Sequence, residues 1–476
     1  MNNIQDIADE LMLNAAMAAG EFQQLDQSST DKIVENIFKA GLNNRVKLAR
    51  LAQEETGIGV WQHKVLKNVL ATQMVFENIK DEKTVGVIKK DDNSGIVEIA
   101  QPLGPVFAII PITNPTSTIL FKILISMKTR NPVIVSPPRN AVNCCKETVD
   151  ICYEAALAAG APEDCIQIIE HGSRELTRTI MSHPHLALTL ATGGTGLVHA
   201  AYSSGNPAIG VGPGNVPVFI DKSADIPFAI ENIITSKTFD NGTVCASEQS
   251  IIVEKAISDT VRKEFEKQQC YFIDEMEIKK LEDYAVLKEK GTMNPEIVGK
   301  PAGFIAEKAG INIPEGTKIL MARLNGVGTE YPLSIEILAP VLAYYECENY
   351  EAAIKTCIDL NFLGGIGHTA AIYANDEGRI MEFSRLMNAG RIVVNTPSSQ
   401  GAVGGLFNTL YTSFTLGCGT GGKNITTENI SAHHLINIQR VCRRKKNVQW
   451  FQFDLTKYTD ENIDADNILN EYYKNY

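Results

Sequence analysis

The rhythm of apolar and polar positions changes along the chain, and each change marks a different piece of architecture. Residues from about 3 to 78 are helix-compatible almost throughout, broken only at Gly57-Ile-Gly59. From 84 to 101 the pattern alternates around Asp91-Asp92-Asn93-Ser94-Gly95, a turn signal that predicts a hairpin. After Pro102, short apolar runs that read as strands (106–110, 133–135, 166–169, 186–190) alternate with helical stretches (118–128, 141–159, 173–181), one of them ended by Gly160. That order predicts a parallel, doubly wound α/β sheet. A second α/β region follows over 241–432, with strands at 250–253, 341–345, 370–373 and 392–395. The expected division is therefore 1–240, carrying the 84–101 hairpin, then 241–432, then a terminal strand (435–441) and tail within 433–476. No internal repeat or low-complexity tract interrupts it.

Composition narrows the function classes. A chain of 476 residues can hold two or three sizeable cores. A net charge of −12 argues against a nucleic-acid partner. The basic cluster of Arg440 and Arg443-Arg444-Lys445-Lys446 reads as a solvated strand end. No run approaches the roughly 20 apolar residues of a membrane span, and the N-terminus has no basic leader. The ten cysteines have no C-x-x-C spacing, and Cys144-Cys145 are simply adjacent. That pattern suits reduced thiols in a cytoplasmic protein, without a disulfide framework or metal site. His433-His434 have no acidic or third histidine partner in view and read as structural.

Cys245 alone among the cysteines has a cleft-like setting. Asn241-Gly242 predicts a tight turn just before it, and Ile251-Ile252-Val253 a strand just after. A thiol at a loop–strand junction can serve as a nucleophile or be a small buried hydrophobe. Thr192-Gly193-Gly194 ends a strand and opens a helix, as a phosphate-binding turn or a bare strand-to-helix turn would. Ser136-Pro137 follow another strand, where the ribose of a dinucleotide would lie. Asn114, before Pro115, is a turn residue or a carboxamide donor. Glu336 is a solvated carboxylate or a double acceptor for ribose hydroxyls.

Several of these segments together resemble the CoA-acylating aldehyde dehydrogenases, most of all the aldehyde-oxidising half of bifunctional aldehyde–alcohol dehydrogenases. The resemblance is carried by Thr238-Phe-Asp-Asn-Gly-Thr-Val-Cys-Ala-Ser-Glu-Gln249, Ile112-Thr-Asn-Pro-Thr-Ser-Thr118, Leu190-Ala-Thr-Gly-Gly194, Gly210-Val-Gly-Pro-Gly-Asn215, Gly364-Gly-Ile-Gly-His-Thr369 and Asn395-Thr-Pro-Ser-Ser-Gln-Gly401. It implies an aldehyde dehydrogenase fold: a doubly wound cofactor-binding domain, a smaller α/β catalytic domain, and a β oligomerisation arm exchanged between subunits. The arm would join the 84–101 hairpin to the 435–441 strand. It implies Cys245 as the nucleophile and Asn114, with the Cys245 N–H, as holder of the oxyanion. Thr192, Gly193 and Gly194 would contact the nicotinamide end of NAD, Ser136 and Pro137 the adenosine ribose, and Glu336 the nicotinamide ribose. His368 would line the cleft as an acid/base group or CoA contact, or only hydrogen-bond locally. CoA enters as co-substrate.

Departures from the family matter as much. Hydrolytic aldehyde dehydrogenases carry a glutamate in the segment matching Gly210–Asn215, which activates water; here that segment has no carboxylate, unless Glu248 supplies the base. Relatives carry a His-Pro-Arg order where this chain has Pro138-Arg139-Asn140, so NADP stands beside NAD. Gly405, Gly421 and Lys423 replace an Asp, a Trp and a Gly of acetaldehyde-type relatives. Lys423 would pair with an anionic aldehyde such as sulfoacetaldehyde or succinate semialdehyde, contact a CoA phosphate, or face water. Thr116 and Thr243 are further candidates for substrate selectivity. The expected partners are a short aldehyde and CoA, a homodimer or homotetramer, and a microcompartment shell or alcohol dehydrogenase. A hydrolytic enzyme and a non-catalytic structural homologue are the competing readings.

Overall fold

In the computed structural model, residues 4–443 and 455–475 are described. The N-terminal helices are Ile4–Phe22, Gln27–Asn43, Arg45–Thr56 and Trp61–Val69, the last running through a π-turn (Leu70–Met74) into Val75–Ile79. Asp26 caps the second helix by accepting from the Ser29 N–H. Gly57 ends the third with a left-handed residue (φ 64°), the break that its sequence predicts.

Strands β1 (Gly86–Asp91) and β2 (Ile96–Pro102) form the expected antiparallel hairpin. Then β3 (Val106–Ile109), β4 (Val133–Ser136), β5 (Ile166–Ile168), β6 (Leu188–Thr192) and β7 (Ala208–Val211) build a five-stranded parallel sheet in the order β5-β4-β3-β6-β7. The chain reverses direction across this sheet between β3 and β6, the place where open α/β sheets bind ligands beyond their strand ends. The helix Pro115–Lys128 after β3 is buried along its whole length.

Strands β8 (Val216–Ile220), β9 (Glu248–Glu254) and β10 (Cys270–Ile273) open a second sheet, and a short ribbon of β11 (Val286–Leu287) and β12 (Thr292–Met293) sits outside it. With β13 (Ile319–Arg323), β14 (Val341–Cys347), β15 (Gly367–Tyr373) and β16 (Ala389–Val394) it becomes seven-stranded and parallel, ordered β10-β13-β14-β9-β8-β15-β16. Finally β17 (Ile436–Cys442) pairs antiparallel with β2, Ile436 opposite Pro102 and Cys442 opposite Ile96. The arm predicted from the two distant alternating segments is thus one three-stranded sheet.

The expected division at 240/241 does not follow the sheets. β8 lies before it yet belongs to the seven-stranded sheet, so the chain changes sheets within the four-residue link between β7 and β8. Nothing in composition marks that link, because both flanking strands are short, apolar and buried. In the other direction, Ile430, Ala432 and Leu435 join the core of the first sheet with Val106 and Leu120. Strands β7, β8 and β10 to β13 lie outside the runs that read as strands in the sequence. Arg440 pairs with Glu98 across the arm (3.0 Å), whereas Arg444, Lys445 and Lys446 lie outside the described residues. The acidic tail contains the helix Ala465–Asn475. Among the described residues no helix is long and apolar enough to cross a membrane.

Two glycines in the helical block allow a direct test. Gly59 has φ 73°, and a Cβ there would stand 2.0 Å from Oδ1 of Asp240. Gly59→Ala should cost more than about 2 kcal/mol through backbone strain and displaced carboxylate. Gly20, within the first helix, has no atom within 4 Å of a built Cβ. Gly20→Ala should instead stabilise by about 0.5–1 kcal/mol. Thermal melts of both variants would expose an error if their order were reversed.

Candidate active site

Cys245 lies between a 3-10 turn (Phe239–Gly242) and β9. Asp240, Asn241 and Gly242 all take positive φ (52°, 53° and 76°), so the turn is tighter than a two-residue Asn-Gly bend. What holds these residues is a buried ion cluster. Asp240 Oδ2 accepts from Lys64 Nζ (2.9 Å) and Lys67 Nζ (2.5 Å), while Oδ1 accepts from the Val60 N–H (2.7 Å). Thr243 Oγ1 donates to the same carboxylate (2.8 Å). The two lysines are one helical turn apart on Trp61–Val69, and both are buried. They hold the Asp240 carboxyl below its ordinary range against the burial that raises it.

Asn114 occupies the N-cap of Pro115–Lys128 but makes no capping bond with its side chain. Its Oδ1 accepts from Lys67 Nζ (2.6 Å), and its Nδ2 donates to Thr113 Oγ1 (2.9 Å). Asn114, Lys67, Cys245, Thr192, Val211 and Phe239 share a small cavity of about 40 Å³. Thus the thiol and carboxamide singled out in the sequence come together across 131 positions of chain, with Thr192 beside them. No Asp or Glu lines this cavity.

The position that faces the cavity from β7 is Val211; Gly210 turns the other way, as strand alternation requires. A Cβ on Gly210 would meet Val198 at 2.9 Å and the Tyr202 hydroxyl at 3.2 Å, so that position has no room for a carboxylate. Glu248 is fully buried behind the strand, its Oε1 accepting from the Ser398 N–H (2.8 Å). Glu336 accepts from the Gly214 N–H (2.8 Å), and burial pushes its carboxyl up to about 7. Gly214 has to be a glycine, because a Cβ would come within 2.3 Å of the Cys245 carbonyl.

His368 is buried behind Gly214, with Nδ1 on Thr369 Oγ1 (2.9 Å) and Nε2 without a partner. Burial, followed by the Arg391 charge, pushes it down to about 3, so it is a neutral imidazole throughout the ordinary pH range. Arg391 escaped the sequence reading. Its guanidinium donates to the carbonyls of His368 (2.8 Å), Gly417 (2.6 Å) and Thr427 (2.9 Å), tying two glycine-rich loops together. Lys64 and Lys67 also escaped it, since their partner is some 170 residues away and only the i,i+3 lysine pair hints at a shared target.

Ser136, Pro137, Gly196 and Leu197 line a larger cleft of about 1380 Å³ at the ends of β3 and β4. Arg139, Arg174 and Arg178 also line it, together with Glu170 and His171, a wall with three guanidinium groups against one carboxylate that suits phosphates. Thr192 to Leu197 therefore runs from the thiol's cavity into this cleft, with Gly193 and Gly194 between. The selectivity candidates stand elsewhere. Thr116 donates to Asn68 Oδ1 (2.9 Å) inside the helical block. Thr243 is absorbed in the Asp240 cluster, and Lys423 follows the turn Thr420–Gly422 outside the cavity.

His433 and His434 need a correction, because they do have an acidic partner. Glu428 Oε2 lies 3.2 and 3.3 Å from their Nε2 atoms, and Glu82 faces His433 Nδ1 at 3.9 Å. The Glu428–His433–His434 ligand atoms lie close enough together to hold a metal ion. However, His434 Nδ1 accepts from the Ser431 N–H, which puts its proton on Nε2, facing the carboxylate. The group is arranged as hydrogen bonds around one carboxylate, with Glu82 and Glu428 favouring the charged form of His433 and burial the neutral form of His434.

The sequence profile of the aldehyde dehydrogenase family matches residues 4–272. The chain belongs to that family. It is 43% identical over 462 residues to a bifunctional aldehyde-alcohol dehydrogenase of Escherichia coli, covering 96% of this chain but only 52% of that protein. It thus spans about half the length of such bifunctional relatives. A succinate-semialdehyde dehydrogenase (acetylating) of Clostridium kluyveri is 37% identical, with 91% of this chain and 94% of that protein covered. The crystal structure of an acetylating aldehyde dehydrogenase from Geobacillus thermoglucosidasius superposes with a TM-score of 0.90 at 44% identity, covering 93% of this chain and 97% of that one.

Burial, with smaller contributions from Glu336 and Cys418, pushes the Cys245 thiol up to about 12, while Arg391 pulls it down. The thiolate fraction should therefore climb with pH without a plateau near neutrality. Alkylation by iodoacetamide, followed on the peptide carrying Cys245, should quicken about tenfold per unit between about pH 7 and 9. A rate already level at pH 7 would show that the thiol is activated in the free protein.

Proposed function

We propose that this chain is a CoA-acylating aldehyde dehydrogenase that converts aldehyde, CoA and NAD⁺ to acyl-CoA, NADH and a proton. The observation that carries the reading is a cavity holding a thiol and a carboxamide but lined by no carboxylate. Cys245 attacks the aldehyde carbonyl, and the negative oxygen is received by Asn114 Nδ2 and the Cys245 N–H. Bound NAD(P) supplies the hydride acceptor. With no carboxylate at Val211 or Gly210 to draw a proton from water, the thioester on Cys245 persists until a thiol reaches it. CoA sulfur then takes the acyl group and Cys245 is regenerated. Relatives whose names include "acetylating" support the choice of CoA over water.

The large cleft fits a dinucleotide. Ser136 and Pro137 stand at the ribose end, the basic wall suits its phosphates, and Thr192–Gly194 lead to the thiol. Glu336, fixed on the Gly214 N–H by one oxygen, offers the other to the nicotinamide ribose. That wall would serve NADP or the phosphates of CoA as readily as NAD. His368, neutral and behind Gly214, fits a positioning contact better than a proton carrier. The substrate we assign is a short uncharged aldehyde, since Lys423 is outside the cavity and the charge of Lys67 is met by Asp240. The arm exposes Ile438 and Val441, apolar positions that a homodimer or homotetramer would cover. A microcompartment shell or an alcohol dehydrogenase is the further partner this reading allows.

With aldehyde and NAD⁺ but no CoA, the enzyme should release about one equivalent of NADH per working site and then nearly stop. Adding CoA should restart turnover and yield acyl-CoA. General-base assistance contributes about 10²–10⁴-fold, so the two regimes should separate clearly. Steady NADH formation with free acid and no CoA would sink the acylating assignment.

A further inference from the structure

A carboxamide presents a donor end and an acceptor end of nearly equal shape, and only the donor end can stabilise an oxyanion. Something must decide which end of Asn114 faces the cavity. Lys67 Nζ has three donors and no acceptor while protonated, and its three contacts are Asn114 Oδ1 (2.6 Å), Asp240 Oδ2 (2.5 Å) and Thr243 Oγ1 (2.8 Å). A flipped amide would press its NH2 group against an ammonium. The ammonium therefore pins Oδ1 and leaves Nδ2, one of whose hydrogens goes to Thr113, with the other to offer.

We propose that Lys67 is a positioning residue for the acylation step, locking the Asn114 carboxamide with its N–H toward the oxyanion. The proposal rests on the reading of Cys245 and Asn114 given above. A role as mere counter-ion to Asp240 does not account for Lys67, because Lys64 already contacts the same oxygen at 2.9 Å. Lys64 reaches the Thr113 carbonyl instead of Asn114 (3.1 Å), and only Lys67 extends into the cavity with the thiol. Burial pushes Lys67 down to about 8, with Asp240 opposing, so the cation persists at neutral pH.

The test is a double-mutant cycle on single-turnover NADH formation without CoA. The rate constant is read from the burst's time course and the working fraction from its amplitude, so misfolded protein lowers only the amplitude. Lys67→Met should slow the rate about 10- to 100-fold, less than the roughly 10²–10³-fold of a deleted oxyanion donor. NAD⁺ affinity should stay within about twofold, since Lys67 acts on the oxyanion and not on the cofactor. In an Asn114→Ala background the same substitution should add less than about twofold, because its effect passes through the missing amide. Lys64→Met removes an equal charge from Asp240 without a bond to Asn114, so its rate loss should be smaller than that of Lys67→Met and should persist undiminished in the Asn114→Ala background. Wild-type rate in Lys67→Met, multiplying losses in the double variant, or equal slowing by Lys64→Met would overturn the clamp. If Asn114→Ala itself keeps the wild-type rate, the reading of the site fails instead. Should Lys67→Met not fold, Lys67→Leu, which likewise has no donor for Asn114 Oδ1, replaces it with the same outcomes.

Discussion

The site depends on one buried carboxylate. Asp240 sits in left-handed backbone and is fully buried, and it is tolerable there because two ammonium groups, a hydroxyl and a main-chain N–H converge on it. Removing one partner of a buried pair costs about 3–5 kcal/mol, so the cluster commits the turn before Cys245 to a single geometry. It also joins parts far apart in sequence: the helix carrying Lys64 and Lys67, the loop of Thr113 and Asn114, and the nucleophile's turn. The thiol and its candidate oxyanion donor are thereby fixed to one another through charge, independently of the two sheets that carry them.

The cavity beside this cluster is lined mostly by apolar side chains, and burial moves four groups in and around it the same way. Burial raises the Cys245 and Glu336 groups and lowers Lys67 and His368, moving each toward its neutral form. A cavity lined by no carboxylate also suits a thioester, which survives where no base is placed to activate water.

Much of the fold was legible from period alone. The runs at Val106 and Val133, the stop at Gly57 and the Asp91–Gly95 turn are local signals, and the arm follows from two alternating segments whose only remaining question is pairing. The division between sheets was not legible, because β7 and β8 are neighbouring apolar strands that look alike and belong to different sheets. In the site, Cys245, Asn114 and Glu336 stood out through motif likeness, and the geometry gathers the first two around one cavity. Lys67 and Arg391 could not be found that way. Their function lies in what they touch, and a lysine in an amphipathic helix or an arginine in a strand carries no sign of a partner far along the chain. Gly210 shows the converse limit: the absence of a carboxylate was readable, but which way the residue points was not.

The link from β7 to β8 carries a mechanical consequence. It is where the chain steps from one sheet to the other, and it contains Gly214, packed on Glu336 and the Cys245 carbonyl. Points near a pivot travel least when two rigid bodies turn about it. The walls of the large cleft all come from residues 109–200, on one side of this step, so turning one sheet against the other would leave that cleft whole. A nucleotide held there would ride with the first sheet, while the thiol, close to the pivot, would keep almost the same distance from its near end.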